Sequence, residues 1–259
     1  VVDEPLGRPG DYGTDRCFVV VSTDTDSPDM DRVSDLEAAG HPVLKIDTRV
    51  AMLGAEFFRW EFATAVAGAV LGINPFDEPN VQEAKDETKA ILAQGDLSGG
   101  QPTAGAGGVF VFSKFAGGSP VDVVGAALAS LKPRDYVAFL SYLPADPGNE
   151  SAIAKIRERI RSRFTVATTF GVGPRYLHST GQYHKGGPNT ALAFVITNDD
   201  ATRTAIPGAP YTFSQLKRAQ AVGDFQTLEA HGRRAVRIHL DRGTDPPATL
   251  RKLFAEAMP

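Results

Sequence analysis

Apolar positions along the chain fall into short unbroken runs, separated by longer stretches in which they recur with helical spacing. Residues 17–22 form an apolar, β-branched run that predicts a strand. Residues 29–39 predict an acidic helix and 42–47 a second short strand, with His41 in the connection between them. This alternation favours a parallel sheet with helices on its faces. Between Met52 and Ile73 the residues are small and apolar, and Ala65, Ala67, Gly68, Ala69 and Gly72 leave little side-chain bulk. That composition predicts a buried core helix covering the sheet. Its most apolar part, Phe62 to Ile73, is too short for a bilayer, which takes about 20 residues. Asn74-Pro75 ends the helix, because proline disfavours the α conformation in the residue before it. Asp77 as a cap and Pro79 near a helix start predict a second helix reaching about Ala93. Val81, Ala84, Thr88, Ile91 and Leu92 make its inner stripe, with Lys85 at the border of that stripe and in reach of a cleft.

From 95 to 108 glycine is frequent and no apolar period survives, which predicts a flexible linker between a lobe at 1–94 and a second lobe at 109–259. No Gly-Lys-Ser/Thr follows those glycines, so they do not make a Walker A phosphate loop. Strands over 109–113, 136–143, 165–170, 190–197 and 235–240 then alternate with helices over 121–131, 151–164 and 246–258. Lys155, Arg157, Glu158, Arg159, Arg161 and Arg163 read as the solvated face of the middle helix. Thr212 with Gln215 is a capping-box pair opening a helix around Leu216, and Asp224 reads as the cap of a further short helix. The fold class is α/β, a three-layer sandwich-like arrangement of parallel or mixed sheets with helices on both faces, in two lobes.

Charge and composition narrow the function classes. In 259 residues Lys and Arg number 27 against 31 Asp and Glu, a net charge of -4, so the basic excess of a nucleic-acid binder is absent. Hydrophobic residues make up 42% and the mean hydropathy is -0.16, as in soluble globular proteins, with no membrane span expected. The single cysteine, Cys17, makes no intrachain disulfide and is expected to be buried and inert. No secretory signal opens the chain, so a cytoplasmic location is expected.

Two stretches carry candidate chemistry. Lys85 fits a cleft-facing cation, but its spacing alone favours a solvated helical lysine paired with Glu83, Asp86 or Glu87. The second stretch, GVGPRYLHSTGQYHKGGPN, is a polar connection between two predicted strands and holds two of the five histidines. α/β proteins place ligands at such strand ends. Backbone amides at Gly181, Gly186 and Gly187, with Arg175, His184 and Lys185, suit an anionic sugar phosphate, and a purely structural glycine-rich turn fits too. Gly171-Val172-Gly173 is not a dinucleotide fingerprint, since Tyr176 stands where a third glycine belongs. His178 and His184 lie on different helical faces without nearby Cys or acids, so no metal is expected. An imidazole is a suitable ring-opening acid, its ordinary pKa being about 6.5.

Around Lys85 the sequence resembles the C-terminal signature of glucose-6-phosphate isomerases, where a glutamate-bearing helix precedes an I-N-x-F-D turn and then G-V-E-L-G-K with the active-site lysine. Glu61, Ile73-Asn74, Phe76-Asp77, Val81 and Lys85 fall in that register without a gap, while Asn80, Gln82 and Ala84 depart from it. LGAEFFRWEFATAVAGAVLGINPFDEP and GPRYLHSTGQYHKGGPNT extend the resemblance to the isomerase portion of bifunctional transaldolase/glucose-6-phosphate isomerase proteins. The resemblance implies a sugar isomerase-like fold and reversible conversion of glucose 6-phosphate to fructose 6-phosphate through an enediolate, without cofactor. Lys85 and His178 would be catalytic, and Arg175, Gln182, His184 and Lys185 would bind substrate. The family's ring-opening histidine, in N-G-Q-H, precedes the lysine in its chains, whereas Thr180-Gly181-Gln182 follows it here. The proton-abstracting carboxylate is expected in an upstream E-S-T-G-K-like segment, leaving this chain inactive alone. Glu61 is read as a structural pair and, secondarily, as a replacement base in a buried helix. Expected partners are a sugar phosphate, upstream isomerase and transaldolase domains, and a second copy in a homodimer, with no nucleic acid and no membrane. The alternatives are a non-catalytic sugar-phosphate binding module and a docking domain of a transaldolase fusion.

Overall fold

A computed structural model describes residues 4–26, 29–77, 81–95 and 97–258, with side chains described for all of these except 81–85. The chain divides into two compact units, 6–79 and 80–259, and the second also takes in residues 1–5.

In the unit 6–79, β1 (Phe18–Ser22) and β2 (Val43–Asp47) pair in parallel with Phe18 opposite Val43. Between them runs α1 (Met30–Ala38), whose N-cap Asp29 accepts from the Arg32 amide at 3.2 Å. The buried apolar residues are Val20 and Ile46 of the strands and Val33 and Leu36 of α1. His41 lies in the helix–strand connection, as expected, edge-on to Phe18 at 5.4 Å between ring centroids.

The helix α2 (Leu53–Leu71) forms where its composition predicts, but it is not a buried core helix. Among its residues only Glu56 and Gly68 are buried, and Val70 and Leu71 are 81% and 70% exposed. Phe57, Phe58 and Phe62 are also exposed. Burial needs partner surface, and a two-stranded parallel sheet with one short helix offers little of it. The outer positions Val19, Val21 and Leu44 of that sheet are themselves exposed. Glu61 stands in solvent, and the buried acid of α2 is Glu56, paired with Arg59 at 3.0 Å. Gly68 is required where Pro75 folds back, since a Cβ there would lie 2.5 Å from the proline ring. Cys17 is exposed rather than buried, because it sits one residue short of β1.

The unit 80–259 begins with α3 (Val81–Gln94) and continues β3 (Ala104–Ala106), β4 (Val109–Ser113), α4 (Pro120–Ala129), β5 (Tyr136–Ser141), α5 (Pro147–Phe164) and β6 (Ala167–Val172). A 3-10 turn at Arg175–His178, α6 (Gly181–Gly186), β7 (Ala191–Asn198), α7 (Phe213–Ala230), β8 (Arg234–Leu240) and α8 (Pro246–Ala257) complete it. The six strands are ordered β3-β4-β8-β7-β5-β6, with β8, β7, β5 and β6 mutually parallel and β4 antiparallel to β8. On one face α4, α5 and α8 bury Val124, Leu128, Ile153, Ile156, Leu250 and Phe254 against the sheet. On the other, α7 contributes Ala221, Phe225 and Leu228, and Tyr176 of the 3-10 turn joins them. The three-layer α/β arrangement expected from the alternation of elements is the one observed. Among the described residues no helix is long and apolar enough to cross a membrane.

Four sequence readings change here. The lobe boundary falls at 79/80 rather than 94, because Ile91 of α3 packs on Ala219 and Val222 of α7. The stretch 95–108 is no free linker: β3 pairs with β4, and Gly99, at φ +70, approaches Val222 and Arg237 so closely that a Cβ would meet them at 2.9 and 3.0 Å. Arg157 and Arg161 do not belong to a solvated face. Both are buried, Arg157 Nε donating to Thr168 Oγ1 at 3.1 Å and Arg161 pairing with Glu4 at 3.0 Å. Asp224 caps no helix, since α7 runs through it unbroken from the Thr212–Gln215 capping box. The expected helix start at Pro79 lies outside the described residues, as does the side chain of Lys85.

Phe254 is fully buried and stands edge-on to Phe194 at 5.0 Å. Phe254→Ala is expected to cost about 3–5 kcal/mol of stability, read from the shift of the urea unfolding midpoint at unchanged slope.

Candidate functional site

The chain leaves β6 through Gly171-Val172-Gly173 and folds tightly back over the sheet. Side chains at either glycine would prevent this, a Cβ at 171 lying 2.7 Å from Tyr176 Cβ and one at 173 lying 2.6 Å from the Tyr142 ring. Tyr176 is the buried anchor of the turn that follows. Its hydroxyl donates to the Asp224 carboxylate on α7, so the 3.3 Å contact between the Tyr142 and Tyr176 hydroxyls has Tyr142 as donor. Burial, and then the Asp224 charge, hold both phenols well above their ordinary pKa.

The helix α6 is fixed by the same carboxylate. Lys185 Nζ lies 2.8 Å from Asp224 Oδ1, and the two side chains are only 3% and 2% exposed. Arg233 and nearby His231 close over the Lys185 carbonyl, Arg233 Nε donating to it at 2.9 Å. One residue earlier, His184 Nδ1 is 2.8 Å from the Tyr136 hydroxyl, and its Nε2 is buried with no partner among the described residues. Burial pushes the His184 pKa down to about 4, so the ring is neutral near pH 7.

This folding gives the 3-10 turn two sides. Leu177 and His178, with Gln182 and Lys185 of α6, line a cavity of about 310 Å³ whose other walls are Thr88, Lys89 and Leu92 of α3, Tyr211, and Leu216 and Gln220 of α7. His178 stands exposed at this cavity, and Gln182 Oε1 is buried there without a partner among the described residues. Arg175 lines a second cavity instead, of about 640 Å³ over the end of β6. The expected residues are therefore divided: His178, Gln182 and Lys185 meet at one cavity, Arg175 lines the other, and His184 lies beneath the helix. Lys85 precedes Thr88 and Lys89 by about one helical turn of α3.

Sequence reasoning missed Asp224, Tyr176, Tyr136 and Lys89. The signal for Asp224 was an acid at a position where the α7 period calls for an apolar or small residue, between Gly223 and Phe225. A comparable arrangement lies at the ends of β7 and β8, where Arg218 Nη2 donates to His239 Nε2 at 2.9 Å. Nδ1–H therefore faces Thr197 Oγ1 at 3.0 Å, which assigns a neutral ring. Burial, with Arg218 beside it, brings His239 to about 4 as well. Among the described residues no group of three His, Cys, Asp or Glu side chains gathers to hold a metal.

Removing Asp224 leaves a buried ammonium uncompensated, so Asp224→Ala is expected to destabilise by about 3–5 kcal/mol. Adding Lys185→Met should recover part of that loss in the same denaturation measurement. The two imidazoles set the acid limb of stability. Their folded pKa values near 4 lie below the unfolded value of about 6.5, so the unfolded chain binds more protons between these pH values. Stability is expected to fall as the pH drops from about 6.5 to about 4, by up to about 1.4 kcal/mol per pH unit for each ring. His184→Gln should remove its share of that slope in urea melts across this range.

No family profile and no curated protein matches the chain. Among solved structures it is similar to a hypothetical protein from Thermus thermophilus, with 15% identity and a TM-score of 0.43. The match covers 92% of this chain and 55% of that one, so this chain spans about half the length of the protein it matches.

Proposed function

We propose that this chain supplies the lysine-bearing part of an aldose–ketose isomerase of the glucose-6-phosphate isomerase type, acting through an enediolate. One observation carries this reading. The helix of Lys85 and the histidine-bearing segment 175–186, distant in sequence, wall the same cavity of about 310 Å³. That volume is at the lower end of the range for small-molecule sites, about 300–1,000 Å³.

In this reading His178, at the cavity's exposed side, gives a proton to the ring oxygen as its bond to C1 breaks and the anomeric hydroxyl loses its proton to water. A carboxylate then takes the proton from C2 as the negative charge moves onto the C1 oxygen; a proton passes from the C2 oxygen to the C1 oxygen, and the carboxylate returns its proton to C1. The Lys85 ammonium meets that charge as it forms, which lowers the barrier more than it stabilises the bound sugar. Lys89 and the unpartnered Gln182 Oε1 suit the phosphate and the hydroxyls respectively. Lys185, engaged by Asp224, holds the wall rather than the reacting oxygens. In this reading the carboxylate is supplied by an E-S-T-G-K-like segment of an upstream isomerase part, in a cytoplasmic transaldolase fusion.

The chain mixed with an isomerase N-terminal part that carries E-S-T-G-K is expected to interconvert glucose 6-phosphate and fructose 6-phosphate. Lys85→Ala should lower the restored kcat about 10²-fold or more. His178→Ala should slow turnover of the cyclic sugar while sparing an open-chain analogue. Absence of turnover, or turnover indifferent to Lys85→Ala, overturns the reading. A thermal shift with sugar phosphate and no turnover would point to a binding module instead.

A further inference from the structure

The cavity over the end of β6 has no part in that reaction, and its walls form a binding site in their own right. β5 and β6 are adjacent and parallel, yet the chain leaves β5 into α5 on one face of the sheet and leaves β6 into the 3-10 turn on the other. A crevice opens wherever successive connections part in this way, and α/β sheets bind ligands in such crevices, outside the carboxyl ends of their strands. Here the crevice holds about 640 Å³, within the range of small-molecule sites.

Arginines line it from two elements, α5 and the 3-10 turn. Arg157 is 2% exposed and lies in the wall, with its Nε tied to Thr168 Oγ1 at 3.1 Å. Arg175 lines the crevice from the 3-10 turn, exposed, with no hydrogen bond or ion pair among the described residues. Among the described residues the lining's carboxylate is Glu150, and the Glu4 carboxylate acts on Arg157. Ser179 and Thr180 add hydroxyls from the segment that follows Arg175. A guanidinium fork without a partner among the described residues matches the paired oxygens of a phosphate.

We propose that this crevice is a second ligand site, distinct from the cavity against α3, and that it takes a small phosphate monoester bearing hydroxyl groups. Arg175 grips the phosphate, and Ser179 and Thr180 meet the hydroxyls. The inference stands apart from the isomerase reading, because the two cavities share no lining residue.

The test is a calorimetric and amide-shift titration of the full chain with glycerol 3-phosphate and, separately, with inorganic phosphate. Saturable binding of the ester is expected, with shifts at Gly171, Val172, Ser179 and Thr180. Arg175→Ala should weaken the binding read at these four amides about tenfold or more, Arg175→Lys should restore part, and Lys252→Ala, on α8 and lining neither cavity, should leave it unchanged. Arg175 is exposed, so the variants keep the fold. Binding at these amides that is kept in Arg175→Ala, or no saturable binding at millimolar ester, overturns the site. Inorganic phosphate binding as tightly as the ester overturns the assignment to an ester. Either failure leaves the Lys85 and His178 measurements untouched.

Discussion

The ion pair between Lys185 and Asp224, almost sealed from water, is the constraint on which both cavities depend. Stripping water from two charges is costly, and mutual attraction offsets that cost only when the geometry is close and the remaining valences are filled. Lys185 lies 2.8 Å from one Asp224 oxygen, and the Tyr176 hydroxyl donates to the other. A single side chain of α7 thereby pins the turn after β6 and the helix α6 at the same time. Neither can lift from the sheet without exposing an unpaired charge in an apolar surround. The turn is rigid enough to present Arg175 on one side and His178 on the other, dividing the space above the strand ends.

The two units show what the hydrophobic effect achieves with and without sufficient partner surface. In the unit 80–259, six strands carry helices on both faces, and the central strand β7 is buried along nearly its whole length. In the unit 6–79, two strands and one helix bury four apolar side chains of the βαβ unit, while α2 holds its aromatic residues in water. A helix that is apolar nearly all round ordinarily lies inside a protein. Sequence hydropathy records that tendency, and only the assembly of neighbours decides whether it is met.

Much of the architecture was legible beforehand because local chemistry and fold agree along most of the chain. Strands at 109–113 and 235–240 and the helix opened by Thr212 and Gln215 formed where their periods and caps predict. Reading failed where a residue's role depends on something distant. Arg157 and Arg161 look like a solvated basic face until Thr168 and Glu4 are brought to them, and Asp224 looks like a cap until Lys185 arrives from 39 positions earlier. The glycines of 95–108 suggest freedom, yet Gly99 is glycine because Arg237 and Val222 crowd it.

By itself the sequence determined the alternation of strands and helices, the layer architecture, the start of the helix capped by Thr212, and the two stretches that hold the reactive side chains. Those follow from local backbone preference and from the period of apolar positions, which each segment carries within itself. Tertiary structure alone decided that the helix of Lys85 joins the second unit, that His178 and Arg175 face different cavities, and that His184 and Lys185 lie buried. Such outcomes depend on which surfaces meet across long separations in the chain, and on charges whose cost of burial is settled only by the partner that comes to meet them.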